Sequence, residues 1–210
     1  DDDAFVRVVR EDPIKKDLLY AGTETGLYLS RNGGKSWEKF QLNLPVVPIT
    51  DLTIRNNDLV ASTQGRSFWI LDDLTQIHQY NSKIKNEYFH LFKPSVTYRT
   101  SGGSSKSNTI GQNPPNGAVI LYYFQDELTK DTNVKLEILE GEKIIRTITN
   151  KSGESAKTFD NGRYSSLTLS TKKGVNRFIW NFRVDDITMV KDVSFYGSYS
   201  GYRVGPGNYT

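Results

Sequence analysis

The chain has 210 residues, of which 27 are Lys or Arg and 24 are Asp or Glu, and it includes 12 Tyr, 10 Phe and 3 Trp. This composition is typical of a folded globular protein and excludes disorder along the whole chain. The basic residues are scattered, which argues against a nucleic-acid interface, and the absence of Cys excludes disulfides, thiol nucleophiles and Cys-ligated metals. No apolar run reaches the roughly 18 residues of a membrane-spanning helix, so no membrane span is predicted.

The first part of the chain contains an internal repeat of short strands. Ala21 and Thr23 recur as Ala61 and Thr63, 40 residues later. A period near 40 residues with about four strands per unit is typical of a β-propeller blade. Residues 1–75 are therefore predicted to form two propeller-like blades, which alone cannot close a ring. Strands are predicted at residues 5–9, 18–23, 26–29, 49–54, 59–63 and 65–71.

Residues 76–118 are predicted to form a connector, in which residues 92–98 are a candidate edge strand and residues 101–107 are rich in Gly and Ser. Strand patterns begin again after the turn Asn113-Pro114-Pro115-Asn116-Gly117, and Gly141-Glu142 fits a two-residue hairpin turn. Further strands are predicted at residues 119–124, 134–139, 144–149, 167–169 and 178–183.

This second pattern predicts an Ig-like or fibronectin-like β-sandwich over residues 119–210, so the expected fold class is all-β. Phe178, Trp180 and Phe182 alternate, which places them on one strand face. Tyr209 would begin a last, truncated strand. The chain also starts at Asp1 without a Met or a signal peptide, and both ends suggest a segment of a longer protein.

One motif, Ser30-Arg31-Asn32-Gly33-Gly34-Lys35-Ser36-Trp37, follows a predicted strand. It resembles the Asp-box, or BNR, repeat S-x-D-x-G-x-[ST]-W, with Asn32 in the place of Asp. In such a folded hairpin turn a short Asx side chain binds backbone amides, Gly adopts positive φ, and Trp fills the gap to the next strands. We interpret Ser30, Asn32, Gly34, Ser36 and Trp37 as structural residues.

The resemblance extends along most of the chain. Several segments resemble the last propeller blades of bacterial sortilin-like, BNR-repeat proteins, often labelled glycosyl hydrolases, and the Ig-like domain that follows them. This resemblance implies a secreted, periplasmic or cell-surface protein whose remaining propeller blades are partners of this segment. The segments are residues 6–13, 19–26, 42–48, 65–73, 113–118, 174–180 and 206–210.

The candidates for glycosidase chemistry are Glu24, Arg66, Asp72 and Asp73. Most glycosidases use two carboxylates at a fixed separation, whereas sialidase-type propellers use an Arg cluster, a Tyr/Glu pair and an Asp. Glu24 and Arg66 lie in matching turns of the two predicted blades and could face one rim. The residues after Arg66 also fit a strand followed by an Asx-type turn. We favour this structural interpretation and assign no catalytic residue.

Two other sets of residues bear on binding. His78 and His90 have no visible partner cluster, so a loop or packing role is expected, and no metal or cofactor is predicted. Tyr196, Tyr199 and Tyr202 lie in a stretch rich in Tyr, Ser and Gly, whose flat rings suit recognition of sugars or proteins. The alternative is a loop whose aromatic rings pack inward.

Three functions remain open at this point. The first is a non-catalytic scaffold or binding module, with a glycan or a protein as ligand. The second is part of a BNR-repeat glycoside hydrolase whose active site lies mostly in other blades. The third is a sortilin-like propeller that binds peptides or proteins. For this chain we expect the first.

Overall fold

The computed structural model describes residues 4–99, 111, 113–151, 167–186, 196–197 and 200–210. The chain is mostly β with several antiparallel sheets, which confirms the prediction of an all-β protein. It divides into two compact units, residues 1–80 and residues 81–210. The predicted connector is thus shared between the two units.

The first unit contains two antiparallel sheets and a short helix. Sheet A has the order β1-β2-β3-β4, and sheet B has the order β5-β6-β7. The six predicted strands are present with shifted ends, whereas β4 and the helix, both very short, were not predicted. The elements are β1 (Val6–Glu11), β2 (Leu19–Thr23), β3 (Gly26–Ser30), β4 (Glu38–Lys39), β5 (Ile49–Arg55), β6 (Asp58–Thr63), β7 (Phe68–Leu71) and α1 (Thr75–Gln79).

The sequence repeat is also a repeat of structure. Thr23 and Thr63 end β2 and β6, and their Oγ1 atoms donate to carbonyl oxygens across the following turn, of Gly26 at 3.0 Å and of Ser67 at 2.7 Å. The strand before each shows a register shift at the corresponding place. The shifts lie between Val6 and Val8 and between Ile49 and Asp51. Each sheet therefore begins with the same bulged hairpin.

The core of the first unit lies between sheets A and B. Gly22 permits the close approach, because a Cβ there would lie 2.6 Å from Ile49 Cγ2 and 2.9 Å from Val8 Cγ1. Burial of the surrounding apolar side chains stabilises the packed sheets. The buried set comprises Val8, Leu18, Tyr20, Leu27, Leu29, Ile49, Leu52, Leu59, Ala61 and Leu74.

The second unit also contains two antiparallel sheets, with strand orders β12-β9-β8 and β10-β11, around one core. The hairpin turn predicted at Gly141-Glu142 is confirmed, because Glu140 pairs with Lys143 and Gly141 has a φ of 62°. A 3₁₀ turn at Ile84–Asn86 precedes the strands. They are β8 (Phe89–Leu91), β9 (Ala118–Phe124), β10 (Lys135–Glu140), β11 (Lys143–Thr149) and β12 (Gly174–Trp180).

Two predicted strands of this unit were wrong. The edge strand is Phe89–Leu91 instead of residues 92–98, since the ladder ends with the bond from Phe92 N to Leu121 O, just before Pro94. Residues 167–169 form no strand, although Leu169 is buried and its N–H donates to Thr149 O at 3.0 Å. The apolar pattern of residues 167–169 reflects the burial of Leu169 in the core and not pairing in a sheet.

The ends of the last strands also differ from the prediction. β12 ends at Trp180 because Phe182 adopts a φ of 60°, which breaks the extended backbone. Phe182 nevertheless packs edge-on against Trp180, with ring centroids 5.6 Å apart. Tyr209 begins no strand, but Thr210 exchanges two backbone hydrogen bonds with Leu139 of β10, at 2.7 and 3.0 Å.

Candidate functional site

The carboxylate of Asp12, directly after β1, is buried and has several hydrogen-bond partners. Its Oδ1 accepts the backbone amides of Ile14 and Lys15, both at 2.9 Å. Its Oδ2 accepts the Tyr20 hydroxyl at 3.1 Å and lies 2.8 Å from His78 Nε2. This set of contacts joins the β1–β2 loop to helix α1, which carries His78.

A second set of contacts fixes the C-terminal end of the same helix. Lys15 Nζ donates to the carbonyl oxygens of Ile77, His78 and Tyr80, at 3.2, 2.7 and 2.8 Å. The Arg31 guanidinium lies 4.8 Å from the centroid of the Tyr80 ring, within cation–π range. Cations at the C-terminal end of a helix also interact favourably with its terminal carbonyls.

Burial and charge shift the pKa values in this cluster. Burial alone would raise the pKa of Asp12, but the hydrogen bonds from the Lys15 amide, His78 and the Ile14 amide outweigh it and lower that pKa. Burial, followed by the charge of Asp12, raises the pKa of Tyr20. Burial and the positive charge of Arg31 lower the pKa of Lys15, against an opposing effect of Asp12.

A carboxylate that orients an imidazole also occurs in hydrolase triads. The contacts of Asp12 are two loop amides, the Tyr20 hydroxyl and the imidazole, and the raised pKa of Tyr20 keeps that hydroxyl protonated. The arrangement therefore docks α1 onto sheet A. A packing role for His78 had been predicted, but its partner Asp12 had not.

The first two catalytic candidates lie at equivalent turns of the two sheets. Glu24, between β2 and β3, forms an ion pair with Arg7 of β1. Arg66, between β6 and β7, is exposed; its N–H donates to Thr63 Oγ1 at 3.2 Å and its carbonyl accepts Trp69 Nε1 at 3.0 Å. These contacts of Glu24 and Arg66 thus lie within their own sheets.

The other two candidates follow β7. Asp73 Oδ1 accepts Asn57 Nδ2 at 2.8 Å and the Thr75 amide at 3.1 Å, and Asp73 adopts a φ of 57°. Its own amide donates to Asp58 Oδ1 at 2.8 Å. These bonds form the Asx-type turn that the sequence predicted as the alternative to a catalytic role. They also hold the chain in place at the start of α1. Asp72 beside it is exposed.

The Asp-box segment forms a closed network of short side chains after β3. Ser30 Oγ donates to Asn32 Oδ1 at 3.0 Å and accepts the Gly34 amide at 2.9 Å. Asn32 Oδ1 accepts the Ser36 amide at 2.9 Å, and Asn32 Nδ2 donates to Ser36 Oγ at 2.8 Å. Gly34 has a φ of 86°, as the turn requires. Trp37 differs from the expected plug, because its ring is exposed beside Gly34.

We expect the Asn32→Ala variant to lose about 0.5–1.5 kcal/mol of unfolding free energy, because it removes the acceptor and donor that close this loop. The Asn32→Asp variant should stay near the wild type, since a carboxylate can accept the Ser36 amide and hydroxyl. Thermal unfolding of both variants is the measurement, with Lys35→Ala as an exposed control in the same loop. Equal stability of Asn32→Ala and Lys35→Ala would contradict the role of the network.

The stretch that carries Tyr196, Tyr199 and Tyr202, called the tyrosine segment below, is described only in part. Tyr196 and Tyr202 are both strongly exposed, and Tyr199 lies outside the described residues. The backbone next to Tyr202 is held firmly: the Gly201 carbonyl accepts Arg183 Nη1 at 2.6 Å, and its amide donates to Asp186 Oδ1 at 3.2 Å. For these two rings the inward-packing alternative does not hold.

His90 Nδ1 lies 2.7 Å from Glu87 Oε2, and the His90 ring packs edge-on against Phe92 with centroids 4.8 Å apart. Within the part of the chain that the structure describes, no group of three or more His, Cys, Asp or Glu side chains could hold a metal ion. In that same part, no helix has the length and apolar character needed to cross a bilayer.

Comparison with known proteins gave no match to this chain, whether against family models, curated proteins or solved structures. The resemblance to BNR-repeat proteins therefore rests on the sequence motifs alone.

Proposed function

We propose that this chain is a non-catalytic scaffold or binding module. One observation carries the proposal: the carboxylates that could act in catalysis form hydrogen bonds or ion pairs that hold the structure of the first unit. Asp12 and Asp73 each accept at least two hydrogen bonds from neighbouring segments, and Glu24 is paired with Arg7. A general acid or base must instead reach a substrate atom.

The fold proposed for this module follows the sequence resemblance. Sheets A and B are two blades of a β-propeller, and the second unit is an Ig-like sandwich. The bulged hairpins that begin both sheets support the first part, since successive blades repeat one strand arrangement. The proposal of an Ig-like sandwich is supported by the two sheets of the second unit, which share a single core. The resemblance further implies a secreted or cell-envelope protein.

The ligand class proposed is a glycan, bound by the tyrosine segment. Tyr196 and Tyr202 present large exposed rings, and the backbone beside Tyr202 is anchored by Arg183. A ring held on a fixed backbone, as at Tyr202, loses little conformational entropy on binding, and both rings offer an apolar face with a polar tip. Such faces can stack on sugar rings.

A glycan and polysaccharide binding screen tests this proposal. We expect the Tyr196→Ala/Tyr199→Ala/Tyr202→Ala variant to bind glycan at least about tenfold more weakly. This change corresponds to a loss of about 1.4 kcal/mol of binding free energy. Tyr98→Ala serves as the matched control, because Tyr98 is an exposed tyrosine of the same unit outside this segment.

The same glycans should be followed for hydrolysis. Turnover that is lost in Glu24→Gln or Asp73→Asn, with folding intact, would overturn the non-catalytic proposal and favour the glycoside hydrolase. Equal glycan binding by the wild type and the triple variant would show that the tyrosine segment takes no part in recognition. Binding to peptides and not to glycans would favour the sortilin-like alternative.

A further inference from the structure

An isolated antiparallel bridge in the second unit pairs two arginines, Arg183 and Arg203, next to Tyr202 of the tyrosine segment. Two backbone hydrogen bonds, of 3.1 and 2.8 Å, join the residues that flank this pair. In an antiparallel ladder, a pair with this bonding has Cα atoms only about 4.5 Å apart. The two side chains therefore leave neighbouring positions on one face of the ladder.

The arginine pair faces away from the core of the unit. Val204, next to Arg203, is buried in that core, and Val184, next to Arg183, packs against it. Consecutive residues of an extended strand point to opposite faces. The arginine side chains therefore project outward, and Arg203 is exposed while Arg183 is partly exposed.

This pair brings two positive charges together without an offsetting carboxylate. Like charges directly opposed on a ladder destabilise it. Among the residues that the structure describes, no Asp or Glu forms an ion pair with Arg183 or Arg203. The carboxylates of Asp185 and Asp186 lie close by in the chain, but they are paired with Arg146, at 3.7 and 3.3 Å. The fold itself thus gives no reason for two arginines at these positions.

The Arg183 guanidinium is held in place for a ligand. Its Nη1 donates to Gly201 O at 2.6 Å, and the Arg183 carbonyl accepts Trp180 Nε1 at 2.9 Å. A guanidinium has five N–H donors, so most of those of Arg183 remain for a further acceptor. Arg203 forms no side-chain hydrogen bond within the described part of the chain, which leaves its whole donor fork for the same acceptor.

We propose that Arg183 and Arg203 together bind an oxyanion, a carboxylate or a sulfate, and that the glycan bound by the tyrosine segment is an acidic polysaccharide. This inference rests on the proposed glycan binding and adds the class of glycan. The planar fork of a guanidinium matches the geometry of an oxyanion, and the bonds are strengthened by charge. A bound anion would also offset the repulsion between the two arginines.

A polysaccharide fits this position better than a nucleic acid. Tyr202 is 65% exposed and directly precedes Arg203, so the ring and the guanidinium leave Cα atoms about 3.8 Å apart, toward opposite faces of the ladder. A polymer of several sugar units that passes over this edge can contact both. Nucleic acids carry a dense row of phosphates and are usually bound by a basic stripe. The basic residues of this chain are instead scattered, with a net charge of only +3.

Two matched pairs of polymers test the inference: polygalacturonate with its methyl ester, and dextran sulfate with dextran. The members of a pair share one sugar backbone and differ in charge. We expect the whole chain to bind at least one acidic polymer at least about tenfold more tightly than its neutral partner, because hydrogen bonds to charged groups are the stronger ones. Isothermal titration calorimetry measures this preference, which should decrease as the salt concentration rises.

Substitution of Arg203 separates binding from folding. Arg203→Gln should remove the preference for the acidic polymer, and it should leave the free energy of unfolding unchanged or higher because the repulsion with Arg183 is lost. Arg203→Lys keeps the charge without the planar fork, so it should retain only part of the preference. Arg177→Gln is the matched control, because Arg177 is an exposed arginine of β12 in the same unit.

The neutral polymers distinguish the failure of this inference from the failure of glycan binding. Equal affinity for both members of each pair, with binding lost in the triple tyrosine variant, would overturn the acidic class and keep the glycan-binding module. A preference that survives in Arg203→Gln, or that Arg177→Gln removes equally, would reflect general attraction to a positive chain and would overturn the arginine site. Acidic binding that is lost in Arg203→Gln but kept in the triple tyrosine variant would overturn the role of the tyrosines. Binding to none of the four polymers would overturn both proposals.

Discussion

Replacing Asp12 by alanine is expected to lower the free energy of unfolding by about 3–5 kcal/mol, because each buried donor that loses its acceptor costs about 1–3 kcal/mol. The substitution leaves two loop amides and the Tyr20 hydroxyl without their acceptor. It also removes the contact to His78 that docks α1. Chemical denaturation at about pH 7 gives the two free energies, and α1 should detach before the sheets unfold.

The effect should depend on pH, with a sign fixed by the lowered pKa of Asp12. A depressed carboxyl pKa contributes stability that is fully present above the unfolded pKa, near 3.8, and is lost as the pH falls through the folded value. The part of the difference in unfolding free energy between the wild type and Asp12→Ala that depends on ionisation of Asp12 should therefore be constant above about pH 5. It should decrease below about pH 4.

An exposed ion pair provides the matched control for this prediction. Asp51 pairs with Arg10 at 2.7 Å, with both side chains about half exposed. Asp51→Ala should cost under about 1 kcal/mol, because water screens such pairs. If Asp12→Ala cost no more than Asp51→Ala, the cluster would be a surface contact without a docking role.

The sequence predicted the features that depend on local chemistry. Thr23 and Thr63 each bond a carbonyl across the next turn, so the repeat of these residues revealed a repeat of structure. Gly141 was readable as a hairpin turn because a positive φ favours glycine. The network of Ser30, Asn32 and Ser36 spans seven consecutive positions and was recognisable for the same reason.

Features that depend on distant partners could not be predicted. Asp12 and His78 are 66 residues apart, and no local pattern links them before the chain has folded. The Asp12-Pro13 pair resembles an ordinary turn, and its buried carboxylate is visible only in three dimensions. The edge strand was misplaced for a related reason: Phe89–Leu91 is a strand because β9 pairs with it.

Adding a methyl group at Gly22 is expected to lower the free energy of unfolding by about 1–3 kcal/mol, the usual cost of overpacking a core. In Gly22→Ala the new Cβ would lie 2.6 Å from Ile49 Cγ2 and 2.9 Å from Val8 Cγ1. Both neighbours are buried, so neither side chain can move aside into solvent, and sheets A and B must separate slightly. Denaturant unfolding of the whole chain measures the loss.

A double-mutant cycle tests whether this loss comes from the contact between the sheets. Ile49→Ala alone should cost about 2–5 kcal/mol as a cavity. It removes Ile49 Cγ2, the nearest atom that the new Cβ would strike, and leaves the contacts with Ile49 Cβ at 2.8 Å and Val8 Cγ1 at 2.9 Å. The Gly22→Ala/Ile49→Ala variant should therefore be more stable than the sum of the two losses predicts. Gly205→Ala is the control, because a Cβ there meets nothing within 4 Å. Strict additivity would show that the contact with Ile49 Cγ2 does not carry the cost of Gly22→Ala.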